Sequence, residues 1–367
     1  MTPYSSTAAD LFFPEQRAPV FTSQVTNKDR AVAIEAARLS YYRFEDALHG
    51  QQNRLALEAG LAHAGFRQFE YFEATVPGME VLMLPDQPFH LPESIASTLP
   101  RIDALDDLLQ PFGHSLKSLA EQAATTALNL PGTASSVLHR TLDRVVPGLR
   151  LFRNPTGTQA FAALRDDNLG ILVFRGSQAD TLVDALIDGQ FLQVRADGWT
   201  GDLHHGFARA ATAIWPKVDA WLRRNPDADL LLCGHSLGAA VATLVAVRAG
   251  RPGRTQLVTI GSPRVGNMAF AEAFAGAGID AVRIVDNSDV VATVPPKGVP
   301  HLDYVHVGQV VEFIDSQGVQ GGASPAADRN TPSPTLLQLA TQLRAGVFLP
   351  LMLTDHACVN YLRAYWP

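Results

Sequence analysis

One apolar run near the middle of the chain constrains the fold more than any other feature. Residues 230–247, LLLCGHSLGAAVATLVAV, are mostly apolar and are long enough to be a candidate for crossing a bilayer. His235 and Ser236 interrupt the run near its front end. A transmembrane helix would bury His235 in lipid at a high energetic cost, with no evident partner. We therefore interpret the run as a buried strand, a sharp turn over 234–238 and a helix packed on a sheet.

The turn carries the pattern G-x-S-x-G, in which each glycine has a steric reason. A serine at the tip of a tight strand-to-helix turn has a strained backbone, and bulk two residues to either side would collide. The start of the helix directs its positive end toward Ser236, where negative charge would develop during attack on a carbonyl group. Because the pattern is weak by itself, the nucleophile hypothesis depends on finding partners for Ser236.

A nucleophilic serine requires a base to accept its proton and an acid to orient that base. In a sheet of this kind the acid and then the base follow the serine along the chain. Asp286 and Asp289 come after a predicted strand at 281–285, and both are candidates for the acid. His356 is favoured as the base, because His306 lies within a predicted strand and His301 follows Asp289 by only twelve residues.

The second half of the chain alternates between short apolar segments and segments with helical periodicity. Such alternation predicts the α/β class, with a mostly parallel central sheet flanked by helices. The predicted strands are 158–164, 170–176, 229–233, 256–260, 281–285 and 305–313, and the predicted helices are 207–224, 239–249 and 268–276.

The remaining segments define the domain organisation. We expect an N-terminal arm over 1–28, followed by a catalytic domain made of 29–78 and 151–367. It includes a helix at 31–48, a strand at 66–75 and a Gly/Pro/Ser-rich linker at 317–334. Seven prolines lie within 79–150, with plausible helices at 102–110 and 114–129. This stretch is too long for an ordinary loop and is predicted to form a helical insertion subdomain.

Composition excludes several functional classes. A net charge of −7 and the lack of a Lys/Arg-rich cluster argue against nucleic acid as a partner. Cys233 and Cys358 are the two cysteines, and their spacing suggests neither a disulfide scaffold nor a zinc site. The first residues lack a basic segment followed by an apolar one, so the default expectation is a cytoplasmic protein, or one exported by a route without such a signal.

Several motifs together resemble the class 3, fungal-lipase-like branch of the α/β-hydrolases. They are FRGS (174–177), GHSLGAA (234–240), TIGSPRVGN (259–267), IVDNSDVVATVPP (284–296) and YVHVG (304–308). The resemblance covers roughly 155–315 well and extends weakly to the helix at 31–48 and to the C-terminal histidine. The segment 79–150 has no counterpart in it.

The resemblance implies a role for each matching position. Ser236 would be the nucleophile, Asp289 the triad acid and His356 the general base. Ser177 and the backbone N–H of Leu237 would form the oxyanion hole. No metal or organic cofactor is implied. The segment 178–191 lies where such lipases carry a lid, although it also suits an ordinary helix at the sheet edge.

The function implied is hydrolysis of lipid carboxylic esters, with triacylglycerols or related acylglycerols as substrates and transient contact with a lipid interface. Phospholipase A activity and hydrolysis of small soluble esters remain open for the same site. An acyltransferase and a non-catalytic lipid-binding protein are alternatives of other classes. Motifs do not separate these possibilities, because pocket length and lid behaviour determine the substrate.

Overall fold

The structure, a computed structural model, describes part of the 367-residue chain. The described residues are 29–42, 44, 50–81, 154–176, 192–286, 289, 291–295, 303–308, 310–315, 318–323 and 355–365. The chain divides into two compact units, Met1–Val76 with Gly157–Pro367, and Pro77–Thr156. The predicted arm at 1–28, the lid segment at 178–191 and both helices of the predicted insertion lie outside the described residues.

An eight-stranded sheet with helices on both faces forms the core of the first unit. Its strands are β1 (Phe66–Val81), β2 (Asn154–Arg165), β3 (Leu169–Phe174), β6 (Asp229–His235), β7 (Thr255–Ile260), β8 (Asp280–Asp286), β9 (Val310–Asp315) and β10 (Gly318–Ala323). The short strands β4 (Gln193–Val194) and β5 (Leu203–His204) pair separately. The helices are α1 (Asp29–Leu39), α2 (Gly50–Ala62), α3 (His205–Arg224), α4 (Leu237–Ala249), α5 (Met268–Ala275) and α6 (Cys358–Tyr365).

The sheet has the order β1-β2-β3-β6-β7-β8-β9-β10. Five central strands, from β3 to β9 in this order, run parallel, whereas β2 and β10 pair antiparallel with their neighbours. This mostly parallel sheet flanked by helices is the α/β-hydrolase fold, which confirms the predicted fold class.

Alternating residues of the central strands build two apolar cores, one on each face of the sheet. In β6, Leu231 and Cys233 belong to the core that contains residues of α1 and of the middle of α6. Leu230 and Leu232 point to the other face, where they join the core under α3, α4 and α5. Successive side chains of a strand alternate between the two faces, so a continuous apolar run is what a strand covered on both sides requires.

The run 230–247 forms two elements, as predicted. β6 ends at His235, Ser236 occupies the turn, and α4 begins at Leu237. Alanines at 239, 240, 242 and 246 are fully or almost fully buried. Their small side chains let α4 lie close to the sheet. Among the described residues, no helix is long and apolar enough to span a membrane.

Several predicted boundaries differ from the structure, and three of the differences have a clear physical reason. The predicted strand at 305–313 begins only at Val310, because Gly308 has a positive φ of 81° that interrupts an extended backbone. Residues 318–323 of the predicted linker form β10, since their backbone pairs with β9. The predicted helix at 31–48 ends as α1 at Leu39, where the Tyr41 and Tyr42 amides bond three residues back and tighten the chain into a turn.

Candidate active site

Ser236 lies at the tip of the turn between β6 and α4 in an uncommon backbone conformation. Its φ of 59° and ψ of −130° lie in a region that residues with a side chain rarely adopt. Such a conformation costs on the order of 1–3 kcal/mol and requires support from its surroundings. The Ser236 amide donates to Ile260 O at 2.9 Å, and its carbonyl accepts from the Ala239 amide at 3.0 Å. These bonds hold the serine at the carboxyl end of β6.

The two glycines of the motif are required by backbone crowding. A Cβ atom on Gly234 would lie 2.4 Å from the carbonyl carbon of Gly238. A Cβ atom on Gly238 would lie 2.1 Å from Phe174 O, at the end of β3. Both distances are far below normal carbon contacts, and the atoms met are backbone atoms that cannot swing aside. The steric reason given by the sequence is thus confirmed.

The predicted acid and base are hydrogen-bonded to each other. His356 Nδ1 lies 2.8 Å from Asp289 Oδ2, and both side chains are buried. Asp289 follows β8, and Ser236 follows β6, a parallel strand of the same sheet. The carboxyl ends of parallel strands lie at one edge, which brings these loops together. Since a carboxylate only accepts, Nδ1 carries the proton and Nε2 of the neutral ring is left with a lone pair.

The Asp289 carboxylate is fixed by further donors. The Val291 amide donates to Oδ1 at 2.8 Å, and the hydroxyl of Tyr361 donates a short hydrogen bond to Oδ2. Tyr361 is fully buried, and its hydroxyl also accepts from the Asp286 amide at 3.0 Å. Burial, with the nearby Asp289 carboxylate, raises the pKa of Tyr361 well above its ordinary value, so the hydroxyl stays protonated as a donor.

Ser236 Oγ and His356 Nε2 are both buried polar atoms without a hydrogen-bond partner among the described residues. The residue before the serine contacts the histidine directly, since the rings of His235 and His356 lie 4.3 Å apart between centroids. His235 Nε2 also lies 2.7 Å from His356 O. A hydroxyl and an imidazole nitrogen left free in this way are the groups that a serine nucleophile and its base would use. Serine–histidine hydrogen bonds are often formed only with substrate in place.

The other candidates occupy different positions. Leu237 is the first residue of α4, where backbone N–H groups have no acceptor within the helix. Ser177 and His301 lie outside the described residues. The Asp286 carbonyl accepts from the Asp289 amide, whereas the carboxylate bonded to His356 is that of Asp289. His306 lies outside β9, and its Nε2 bonds to Ala292 O.

Sequence reasoning gave no positioning role to three residues that surround the pair, and it treated His235 as structural or near the rim of the site. Tyr361 contacts the acid, while His235 and Tyr41 form a chain of hydrogen bonds that ends at His356 O. His235 carried the clearest signal, because it adjoins Ser236. Tyr41 had none, because it lies 194 residues before its hydrogen-bond partner.

The two cysteines, Cys233 and Cys358, are core residues. Both thiols are buried and free, and burial raises the pKa of each well above its ordinary value. A protonated thiol in an apolar core is not a nucleophile. Within the described residues, no group of three His, Cys, Asp or Glu side chains is arranged to hold a metal ion.

Comparison with known protein families identifies the region around this site. Residues 171–299 match the family model described as Lipase (class 3). Residues 171–299 belong to the class 3 lipase family. This stretch contains β3 from Ile171 onward, the turn at Ser236, and Asp289, whereas His356 follows it.

Individual relatives of this lipase region are fungal enzymes. The chain is 30% identical over 150 residues to a lipase from Rhizopus niveus, covering 37% of this chain and 36% of the relative. It is 32% identical over 162 residues to the secreted mono- and diacylglycerol lipase A of Penicillium cyclopium, covering 41% and 50% of the two chains. Among solved structures it is similar to the Rhizomucor miehei lipase propeptide complex, with 27% identity and a TM-score of 0.42 over 50% of this chain and 63% of that one.

The chain therefore spans half or less of the length of these curated relatives. The comparison also corrects one expectation from the sequence. The default prediction of a cytoplasmic location is contradicted, because the Penicillium cyclopium relative is named as a secreted enzyme.

Proposed function

We propose that the protein is a serine carboxylic-ester hydrolase that acts on lipid esters. The proposal is supported by a strained, buried Ser236 that directly follows His235, whose ring packs on the ring of His356 in the hydrogen-bonded His356–Asp289 pair. Membership of residues 171–299 in the class 3 lipase family supports the same activity. The site needs no metal or organic cofactor, because serine and imidazole supply both the nucleophile and the proton transfer.

The proposed reaction has two halves. Ser236 Oγ attacks the ester carbonyl carbon while His356 Nε2 accepts the hydroxyl proton. The tetrahedral intermediate expels the alcohol, which takes that proton from His356, and an acyl-serine remains. Water then attacks the acyl-serine with His356 again as base, which releases the carboxylic acid and restores Ser236. Asp289 stabilises the imidazolium that forms in each half.

The oxyanion formed in both halves needs hydrogen-bond donors. We assign the backbone N–H of Leu237 at the start of α4 and the backbone N–H of Ser177, with the Ser177 hydroxyl as a further donor. The position of Leu237 supports its assignment, because a helix N-terminus favours negative charge. The assignment of Ser177 rests on its place in FRGS. Each such donor contributes about a hundred- to a thousandfold in rate.

For the substrate we propose acylglycerols, with transient binding to their interface with water. The named activity of the Penicillium cyclopium relative on mono- and diacylglycerols supports this class. We further propose that 29–78 and 151–367 form the catalytic domain and that 79–150 is an insertion subdomain. Hydrolysis measured on emulsified acylglycerols, phospholipid vesicles and a dissolved short-chain ester separates these substrates. A rate that does not rise at an interface would contradict the lipase assignment in favour of a soluble-ester hydrolase.

The nucleophile is tested by the substitution Ser236→Ala. We expect ester turnover to fall by about four to six orders of magnitude, because the covalent route is removed. Thr243→Val is a matched control, since it removes a buried hydroxyl from α4, where Thr243 bonds only within its own helix at Ala239 O. The proposal fails if Ser236→Ala keeps near-normal turnover, or if Thr243→Val loses as much activity.

A further inference from the structure

We infer that Tyr41 and His235 are positioning residues for the triad histidine, acting through a one-way chain of hydrogen bonds that ends on the backbone carbonyl of His356. The inference rests on the proposed function, because it concerns the base of that reaction. Neither residue belongs to the Ser–His–Asp set, and neither is needed for the chemistry of ester cleavage. Their contacts give them a different task.

The direction of the chain follows from the chemistry of its members. His235 Nε2 lies 2.7 Å from His356 O, and a carbonyl oxygen can only accept, so Nε2 must carry a proton. Burial lowers the pKa of His235 well below its ordinary value, and the neighbouring His356 lowers it further, so the ring is neutral. In a neutral ring with a protonated Nε2, Nδ1 is an acceptor. The Tyr41 hydroxyl, 2.8 Å from Nδ1, is therefore the donor.

The chain restrains the base in two ways. The hydrogen bond from His235 fixes the backbone of His356, which lies just before α6. The His235 ring also packs on the His356 ring, with 4.3 Å between centroids and 31° between planes. Asp289 also binds Nδ1 of the same ring. The imidazole of His356 is therefore held at three places: its backbone carbonyl by His235 Nε2, its ring face by the His235 ring, and its Nδ1 by Asp289. Its free Nε2 is then left in one orientation.

The lack of a side chain at Gly176 leaves room for this chain of hydrogen bonds. Gly176 lies just beyond the end of β3, and a Cβ atom there would lie 2.3 Å from the Tyr41 hydroxyl and 2.5 Å from His235 O. Any larger residue would displace the tyrosine from His235. Tyr41 follows the end of α1, which stops at Leu39 and turns, so its side chain reaches the site from the first described helix. Three separate segments thus converge on one buried imidazole.

The kinetic test compares substitutions that remove or keep one link. Tyr41→Phe is expected to lower kcat by about 10- to 100-fold with little change in KM, because a misplaced base slows the chemical step and not binding. His235→Leu should cause a similar or larger loss. His235→Gln should recover most of the rate, because its side-chain amide offers an N–H donor toward His356 O. Tyr71→Phe is the control, because it removes a hydroxyl bonded to Glu58, away from the site.

Two further readouts separate positioning from general stability. In the His235→Leu background, Tyr41→Phe should cause no additional loss, since the chain is already broken. In the intact enzyme, nitrogen-15 NMR of the histidines should show His235 neutral with the proton on Nε2, including below its ordinary pKa of about 6.5. This NMR readout does not depend on activity or on any variant folding.

The inference is overturned if Tyr41→Phe behaves like Tyr71→Phe, if His235→Gln is no better than His235→Leu, or if NMR finds the proton of His235 on Nδ1. Its failure differs from that of the proposed function. Loss of turnover in Ser236→Ala with normal turnover in Tyr41→Phe would remove only the positioning role. Normal turnover in Ser236→Ala would remove the proposed function and leave the NMR result unaffected.

Discussion

At the scale of single residues, buried polar groups joined by hydrogen bonds surround the candidate nucleophile and base. Asp289 accepts from His356, Tyr361 and the Val291 amide. His235 accepts from Tyr41 and donates to His356 O. A buried polar group is costly unless it is paired, so these bonds make the surroundings of the triad rigid. Ser236 Oγ and His356 Nε2 have no hydrogen-bond partner among the described residues.

The neutral, buried His235 predicts a loss of stability in acid. Its pKa is lowered in the fold, mainly by burial, whereas in the unfolded chain it returns to about 6.5. Below that pH, His235 binds a proton in the unfolded state but stays neutral in the folded state. The free energy of unfolding therefore falls as the pH drops, by up to about 1.4 kcal/mol per pH unit from this residue. The full contribution is present above pH 6.5.

Urea unfolding across this range measures the effect, with His235→Gln as the comparison because glutamine does not titrate. The free energy of unfolding should fall more steeply for the wild type than for the variant as the pH drops from neutral through about 6.5. Other groups titrate equally in both proteins, so only the difference between the two curves is informative. Parallel curves would contradict a neutral His235 in the fold.

At the scale of elements, the turn between β6 and α4 is held by the close approach of three backbone segments. Gly234→Ala should destabilise the protein by about 1–3 kcal/mol through overpacking, and displacement of Ser236 should lower turnover by at least about tenfold. Gly276→Ala is the control, because Gly276 has an ordinary φ of −81° and an added Cβ would meet its nearest atom at 3.6 Å. Both effects are read from urea unfolding and ester hydrolysis.

Equal behaviour of the two alanine variants would show that the turn tolerates a side chain at Gly234, against the proposed crowding. A stable but inactive Gly234→Ala protein would agree with the displacement of Ser236 but would contradict the predicted loss of stability.

The sequence predicted the elements that carry strong periodicity and missed those decided by the backbone. β6 and α4 were separable because two glycines and a serine interrupt an otherwise continuous apolar run. β10 was missed because GVQGGA has few strand-forming side chains, and its pairing with β9 comes from the main chain. The hydrogen-bond chain from Tyr41 was also out of reach, since no local pattern marks a contact across 194 residues.

At the scale of the whole molecule, the described part of the first unit is a sheet with an apolar core on each face and the candidate site at the carboxyl ends of its parallel strands. Ser236 and Asp289 follow β6 and β8 at that edge, and His356 arrives from the last described segment of the chain. The sequence predicted this arrangement because the order serine, acid, histidine matches the order in which such a sheet presents its loops. The site therefore depends on the parallel arrangement of the strands, which brings these loops to one edge of the sheet.

The central claim is that this arrangement makes Ser236 an activated nucleophile. The most direct measurement is labelling of the intact protein with a fluorophosphonate, followed by mass spectrometry of its peptides, because only an activated serine reacts quickly with such a probe. The account predicts a single rapid modification at Ser236 that is strongly slowed in His356→Ala. Modification at another residue, no modification of correctly folded protein, or an unchanged rate in His356→Ala would contradict it.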